Sequence, residues 1–312
     1  MHIDLHKIPQ ASPDDISGLD ALIQAGTLNP SHIIAVLGKT EGNGCVNDFT
    51  RGFATQTLKN YLGQVLGPGA AKEIVYIMSG GTEGVLSPHL NVFTRQPSAP
   101  DAMPHWGLVM GVSRTRPFAP DEIGALAMVK TVAEAVHVAL AEAGLQPEQA
   151  SFVQIKCPLV QATQAEGLKR SSYQSMADSR GAAALGVALA LGELGPDPMT
   201  PDMIGRNFEI YSKTASASAG VELQNCEIFV LGNAAHATGN LVIGQAVMHH
   251  ALDLDAIHQA VANTGQPATQ IVNIFAKAEA DPRGTILGCR HTMLDDSDIS
   301  HTRMSRAVVG AV

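Results

Sequence analysis

HIIAVLGK (residues 32–39), SFVQIK (151–156) and IVNIFAK (271–277) are the stretches that decide the fold. Each is a short run rich in Ile, Val or Phe, the residue types that favour strands, and each ends in a lysine. Lys39, Lys156 and Lys277 stand 117 and 121 residues apart, a period that points to an internal repeat. Upstream of each run comes an acidic stretch beside an isoleucine: Pro13-Asp14-Asp15-Ile16, Pro120-Asp121-Glu122-Ile123 and Asp253-Leu254-Asp255-Ala256-Ile257. Acidic side chains suit helix N-termini, so a helix is expected to open at each, ending near Gly26, Gly144 and Gly265.

Working outward, each lysine is followed by an arginine that enters a helix of small residues: Arg51 in TRGFATQTLKNYLG, Arg180 in SRGAAALGVALALGEL and Arg303 in TRMSRAVVGAV. The first two stretches then reach a serine in the pattern S-[GA]-G-x-E, at Ser79–Glu83 and Ser218–Glu222. Each unit reads strand, helix, strand ending in Lys, Arg-bearing helix, and serine turn beside a strand. The fold expected is α+β, with three similar units in a pseudo-threefold arrangement around one central site. The units span 1–99, 106–240 and 246–312, divided at the Pro-rich stretch 97–105 and near 238–246. Arg51 to Ser79 is 28 residues and Arg180 to Ser218 is 38, so a third serine turn falls beyond Val312. The third unit is therefore expected to be C-terminally incomplete and the pocket open on one side.

Composition narrows the function. Apolar residues are 45% and charged ones 16%, as in a globular protein with a sizeable core. A formal net charge of -9 argues against a nucleic-acid backbone as partner. No apolar run has the roughly 18 residues of a membrane span, and the N-terminus has no signal-peptide core. Cys45, Cys157, Cys226 and Cys289 lie far apart without a C-x-x-C pair, the pattern of reduced thiols in a cytoplasmic protein.

Three lysines and three arginines around one pocket would repel one another and lower a lysine pKa toward neutrality. A neutral lysine within reach of a serine hydroxyl is one way to activate a nucleophile for acyl transfer. Small residues beside the serines leave room for a backbone N–H to approach an oxyanion, and arginine forks suit the oxygens of a planar ligand. Three similar walls suit a small, flat ligand with three similar polar edges, and the inferred reaction is hydrolysis of a cyclic amide. The competing reading is that the repeat is architectural and its polar residues are solvated strand ends.

The strings GKTEGNGCVNDFTR, MSGGTEGVLSPH, VQIKCPL, SASAGVEL, FAKAEA and RHTMLDDSDISHTR resemble the cyanuric acid hydrolase and barbiturase family of ring-opening amidohydrolases. The resemblance runs the length of the chain. It implies hydrolysis of cyanuric acid to carboxybiuret, which loses carbon dioxide to give biuret, with barbituric acid as the alternative substrate, and a homotetrameric assembly. It also implies Lys156 as general base and Ser218 as nucleophile, with Lys39, Ser79 and Lys277 supporting them. Arg51, Ser79, Gly80, Arg180, Ser218, Ala219 and Arg303 match positions that hold the substrate's oxygens. No organic cofactor is implied, but a structural Mg²⁺ or Ca²⁺ is, with Glu279 as a ligand and the others expected in the absent tail. If that missing end disables the chemistry, the alternative is a binder of planar ligands.

Other residues carry plainer expectations. Cys157, next to Lys156 on a strand, points to the opposite face and is read as a buried structural thiol. His249, His250 and His291 lack a metal-binding spacing. GAAALGVALALGEL (181–194) is read as a buried core helix, and Asp295, Asp296 and Asp298 as a solvated turn. GGTEG (80–84) lacks the Gly-Lys-Ser/Thr of a phosphate loop. Glu83 and Glu222 either orient lysines or hold their turns.

Overall fold

The computed structural model describes residues 1–81, 86–165, 167–168, 171–195, 198–207, 209–250, 253–277, 285–290 and 307–311. The fold is α+β. Its first part comprises β1 (His2–Pro9), α1 (Ser17–Gln24), β2 (Ile33–Lys39), α2 (Thr50–Leu66), α3 (Pro68–Glu73), β3 (Val75–Ser79) and β4 (His89–Gln96). The four strands form one sheet in the order β1-β4-β2-β3, with β4 antiparallel to both neighbours and β3 parallel to β2.

The next stretch comprises β5 (His105–Arg114), α4 (Leu126–Ala143), β6 (Ala150–Pro158), α5 (Ser172–Ala190), β7 (Ala215–Gly220) and β8 (Glu227–Ala237). Its sheet runs β5-β8-β6-β7 with the same senses, so its connectivity repeats that of the first. The last comprises β9 (Gly244–Met248), α6 (Leu254–Asn263), β10 (Ile274–Lys277), the short hairpin β11 (Thr285–Ile286) and β12 (Cys289–Arg290), and β13 (Ala307–Ala311). Here the order is β10-β13-β9, with β13 antiparallel to both neighbours. β13 takes the place that β4 and β8 hold in the other sheets.

Alternation along the strands sorts side chains into two faces. The outer faces carry the helices: Leu58 and Leu62 of α2 pack with Val36 and Val92, and Val132, Val136 and Leu185 of α4 and α5 pack with Val153 and Ile155. Met248 packs with Ala256 and Ala260 of α6. The inner faces pack on each other, joining Ile77 and Phe93, Phe152 and Phe229, and Phe275 from the three sheets. Phe93 lies 5.5 Å from Phe229 and 6.0 Å from Phe275, and Phe152 lies 5.8 Å from Phe275, within the range of favourable ring pairs.

Helix starts depart from the expected pattern in two of three cases. Asp253 caps α6 as expected, accepting from the Ala256 N–H at 3.1 Å. Asp15 instead stands before the first turn of α1 and accepts from Ser17 N at 2.9 Å. Glu122 precedes α4 and is held by Arg116 at 2.7 Å. Gly144 ends α4 in the left-handed region at φ 67°, the conformation that makes glycine the usual residue there. The 181–194 stretch is buried in α5 through Ala190 except at the exposed Leu189, and no helix among the described residues is long and apolar enough to cross a membrane.

Helix α4 sits unusually close to its sheet. Gly111 on β5 faces the helix backbone, and a Cβ there would overlap the Ala139 carbonyl oxygen and come within 2.9 Å of Ala143 N. Two residues along the same face, the Ser113 hydroxyl donates to the Ala135 carbonyl at 2.7 Å. Ala135, Ala139 and Ala143 form the small-residue side of α4 that permits this approach.

Candidate active site

Period-two alternation carries the strand lysines to the inner side of their sheets. On β6, Phe152 belongs to the shared inner core while Val153, Ile155 and Cys157 belong to the outer one, which leaves Gln154 and Lys156 facing inward. Ala35 and Phe275 are likewise inner-core residues, so Lys39 and Lys277, at even spacing along β2 and β10, share that side. The serines follow the same rule. Val75 and Ile77 face inward ahead of Ser79, and Ala217 and Ala219 face outward around Ser218.

The two described serines pair with lysines in the same register: Lys39 is opposite Ser79 across β2 and β3, and Lys156 is opposite Ser218 across β6 and β7. Ser218 thus lies within a strand rather than in a turn. Its Oγ is buried and has no hydrogen-bond partner among the described residues. Lys156 is 1% exposed. Its Nζ donates to the carbonyls of Met78 at 2.8 Å and Ala219 at 3.2 Å, and lies 3.3 Å from Glu222 Oε1. Among the described residues neither Glu222 oxygen has a partner with hydrogen-bond geometry, so the contact with Lys156 is a close ion pair. Lys39 Nζ donates to Gly80 O at 2.6 Å, so the two ammonium groups grip the carbonyls on either side of Ser79.

Arg51 stands one residue into α2 and is 2% exposed. Its Nη1 donates to Gly44 O at 3.3 Å and Ala219 O at 3.0 Å, and Nη2 to Cys45 O at 2.8 Å. The guanidinium therefore joins the 44–45 loop of the first sheet to the Ser218 strand of the second. The family resemblance implies a substrate contact here; in this structure the hydrogen bonds of Arg51 brace two backbone segments. Asp48 completes this corner, accepting from Gly44 N at 2.9 Å and Thr50 N at 3.0 Å with Arg51 Nε 3.7 Å away. Sequence reasoning passed over Asp48, although an aspartate two residues before a helix start is a familiar capping signal.

Burial is the first cause of the electrostatics. It draws the Lys156 pKa down to about 8; Glu222 opposes the shift and Arg51 adds to it. Lys277, at the end of β10, is drawn down to about 7 by burial and then by Arg180, with Cys157 opposing. Arg180, 2% exposed on α5 and donating to Met176 O at 3.3 Å, is drawn down to about 10, chiefly by burial. Crowding by arginines acts in the direction expected from the sequence, yet desolvation outweighs it. Cys157 fits the reading of an inert thiol: it is fully buried, burial raises its pKa to about 11, and its Sγ donates to Ser218 O at 3.2 Å.

Among the described residues no group of three His, Cys, Asp or Glu side chains could hold a metal ion. His249 is a surface residue hydrogen-bonded to Asp253 at 3.1 Å. Glu83, Glu279, His291, Asp295, Asp296, Asp298 and Arg303 lie outside the described residues.

The lysine shifts make stability depend on pH. A folded Lys156 loses its proton near pH 8, whereas an unfolded lysine keeps it to 10.5. Across that window the unfolded chain binds more protons, so stability rises with pH, and Lys277 adds to this from about pH 7. Cys157 works the other way above 9.0, where the unfolded thiol ionises and the folded one does not. The melting temperature is expected to climb between pH 7 and 9 and level off or fall beyond. Scanning calorimetry across that range checks it, and in Lys156→Met the climb should shrink.

The sequence profile of the family described as amidohydrolase ring-opening protein matches residues 4–312. The chain belongs to this family. Among its relatives, this ring-opening amidohydrolase is 47% identical to a cyanuric acid amidohydrolase from Bradyrhizobium diazoefficiens, over 99% of this chain and 89% of that protein. It is 44% identical to a cyclic amide hydrolase from Azorhizobium caulinodans, over 100% of this chain and 91% of that one. A solved cyanuric acid hydrolase, described as an evolutionary innovation by structural concatenation, superposes with a TM-score of 0.92 at 38% identity, over 99% of both chains. The solved cyanuric acid hydrolase from A. caulinodans gives a TM-score of 0.89 at 43% identity, over 97% of this chain and 87% of that one.

Proposed function

We propose that this chain hydrolyses cyanuric acid, opening the ring to carboxybiuret, with Ser218 as nucleophile and Lys156 as general base. The observation that carries the reading is the Lys156–Ser218 register pair, in which a buried hydroxyl without a partner among the described residues shares its strand position with an amine whose pKa is near 8. At pH 7 about one such amine in ten is neutral, and a base with a pKa close to the working pH is efficient. Relatives named cyanuric acid hydrolase or amidohydrolase at 43–47% identity support the substrate.

In the first step Lys156 Nζ exchanges one of its carbonyl contacts for the Ser218 hydroxyl and takes its proton as Oγ attacks a ring carbonyl carbon. The tetrahedral intermediate expels the ring nitrogen, which receives the proton back from Lys156. Water then cleaves the acyl-serine by the reverse use of the same amine, releasing carboxybiuret, which loses carbon dioxide to leave biuret. Lys39, Lys277 and Arg180 supply positive charge toward the oxygens of the planar ring, together with Ser79 and Gly80. In this reading the units 1–99, 106–240 and 246–312 stand in pseudo-threefold relation, which suits a ring with three equivalent carbonyls.

The test is loss of ultraviolet absorbance and release of carbon dioxide with cyanuric acid, and separately with barbituric acid. Turnover of cyanuric acid at the higher kcat/KM supports the proposal. Preference for barbituric acid moves the substrate, and binding of either without turnover makes the chain a binder of planar ligands.

A further inference from the structure

Glu222 stands apart from the other buried acid of this corner. Asp48 has its oxygens occupied by Gly44 N, Thr50 N and the Thr50 hydroxyl, and so holds a loop. Glu222 is also buried, with a side chain 9% exposed, yet neither oxygen accepts a hydrogen bond among the described residues. It therefore does not hold its own turn by hydrogen bonding. The ion pair in which it takes part is with Lys156 Nζ, at 3.3 Å. A buried carboxylate without hydrogen bonds is costly and persists where a neighbouring charge compensates it.

The backbone is shaped around that carboxylate. A Cβ on Gly220 would overlap Glu222 Oε2, so glycine is what lets the side chain fold back toward the amine. From α2, a Cβ on Gly52 would reach ordinary contact with Glu222 Cβ at 3.5 Å. A cleft of about 520 Å³, lined by Asp48, Phe49, Phe53, Gln56 and Glu222 among others, borders this corner.

We propose that Glu222 is the positioning residue for Lys156: its carboxylate fixes the amine in place and sets the pH at which the amine gives up its proton. The proposal rests on Lys156 being the base. Other charges facing Lys156 do not substitute for it. Arg51, from α2, carries the same sign as the lysine and pushes the other way, and Cys157 next in the strand stays protonated. Glu227, the register partner of Lys156 on β8, is occupied by Arg114 at 2.9 Å. Asp48 is occupied as described, Arg180 carries positive charge, and Lys277, drawn down to about 7, is cationic or neutral and so supplies no compensating negative charge.

Glu222→Gln keeps the shape and removes the charge. In the full chain labelled with ¹³C at lysine Cε, the Lys156 resonance, assigned by its loss in Lys156→Met, is expected to titrate ~1 pH unit or more below wild type. The acid limb of kcat/KM for cyanuric acid should move down with it, while kcat at the optimum falls about tenfold because the amine is less firmly held. A folded Glu222→Gln protein whose Lys156 midpoint and acid limb stay at the wild-type values overturns the proposal, since a merely structural glutamate would change the melting temperature alone. If Glu222→Gln does not fold, Glu222→Asp draws the charge back by one methylene, and a midpoint unchanged there overturns it equally. A wild-type chain with a Lys156 midpoint that responds to Glu222 but no turnover of cyanuric acid refutes the hydrolase reading and leaves this coupling standing.

Discussion

Ser218→Ala is expected to lower kcat/KM for cyanuric acid by about 10³-fold or more, with Lys156→Ala costing a similar factor and the double variant scarcely more. The two side chains are the two ends of one proton transfer, so losing either removes the same step and the effects do not add. Ser79→Ala is expected to cost about tenfold to fiftyfold. Both serines sit opposite a strand lysine in the same register, so register cannot separate them. What separates them is the surroundings. Lys156 is 1% exposed with a pKa drawn to about 8, and Ser218 Oγ is buried without a partner among the described residues. Lys39 is half-buried and its Nζ is committed to Gly80 O at 2.6 Å. Steady-state kinetics of the four variants decide the matter, and equal losses at Ser79 and Ser218 would mean that the catalytic pair is wrongly assigned.

The largest expected loss of stability comes from a position remote from the chemistry. Gly111→Ala should destabilise the fold by about 3 kcal/mol or more. The added methyl would occupy the space of the Ala139 carbonyl oxygen, which is helix backbone and cannot rotate aside. Relief requires α4 to lift from the sheet, breaking the Ser113–Ala135 bond at 2.7 Å and opening the packing of Val132 and Val136 on Val153. A urea unfolding curve reads this as a lower midpoint at unchanged slope. Val138→Ala, on the exposed side of the same helix at 60% exposure, is expected to change little.

Much of this architecture was legible in the sequence because strand alternation is a local property. Runs ending in Lys39, Lys156 and Lys277 do form β2, β6 and β10, with β6 continuing past its lysine to Pro158, and Arg51 enters α2 in its first turn, whereas Arg180 lies in the middle of α5. Cys157 is the buried thiol that its strand position implied. Other features depend on what one sheet meets in another, and no spacing encodes that. The Met78 carbonyl that receives Lys156 is 78 residues away along the chain, and the Ala219 carbonyl that receives Arg51 is 168 away. The sequence made cation crowding the reason for a low lysine pKa, but burial depth, which is a property of the folded chain, is the larger cause. The S-[GA]-G-x-E pattern suggested turns at both serines, whereas Ser79 ends β3 and Ser218 lies inside β7. Acidic residues before α1 and α4 mark the approach to a helix rather than its first turn.

The crossed bonds from Lys156 to Met78 and from Arg51 to Ala219 bear on how such a chain can be re-engineered. A segment grafted from a relative brings its own loops but borrows its neighbour's cations. Chimaeras cut between β4 and β5 should therefore regain activity only when donor and host present matching carbonyls at that seam.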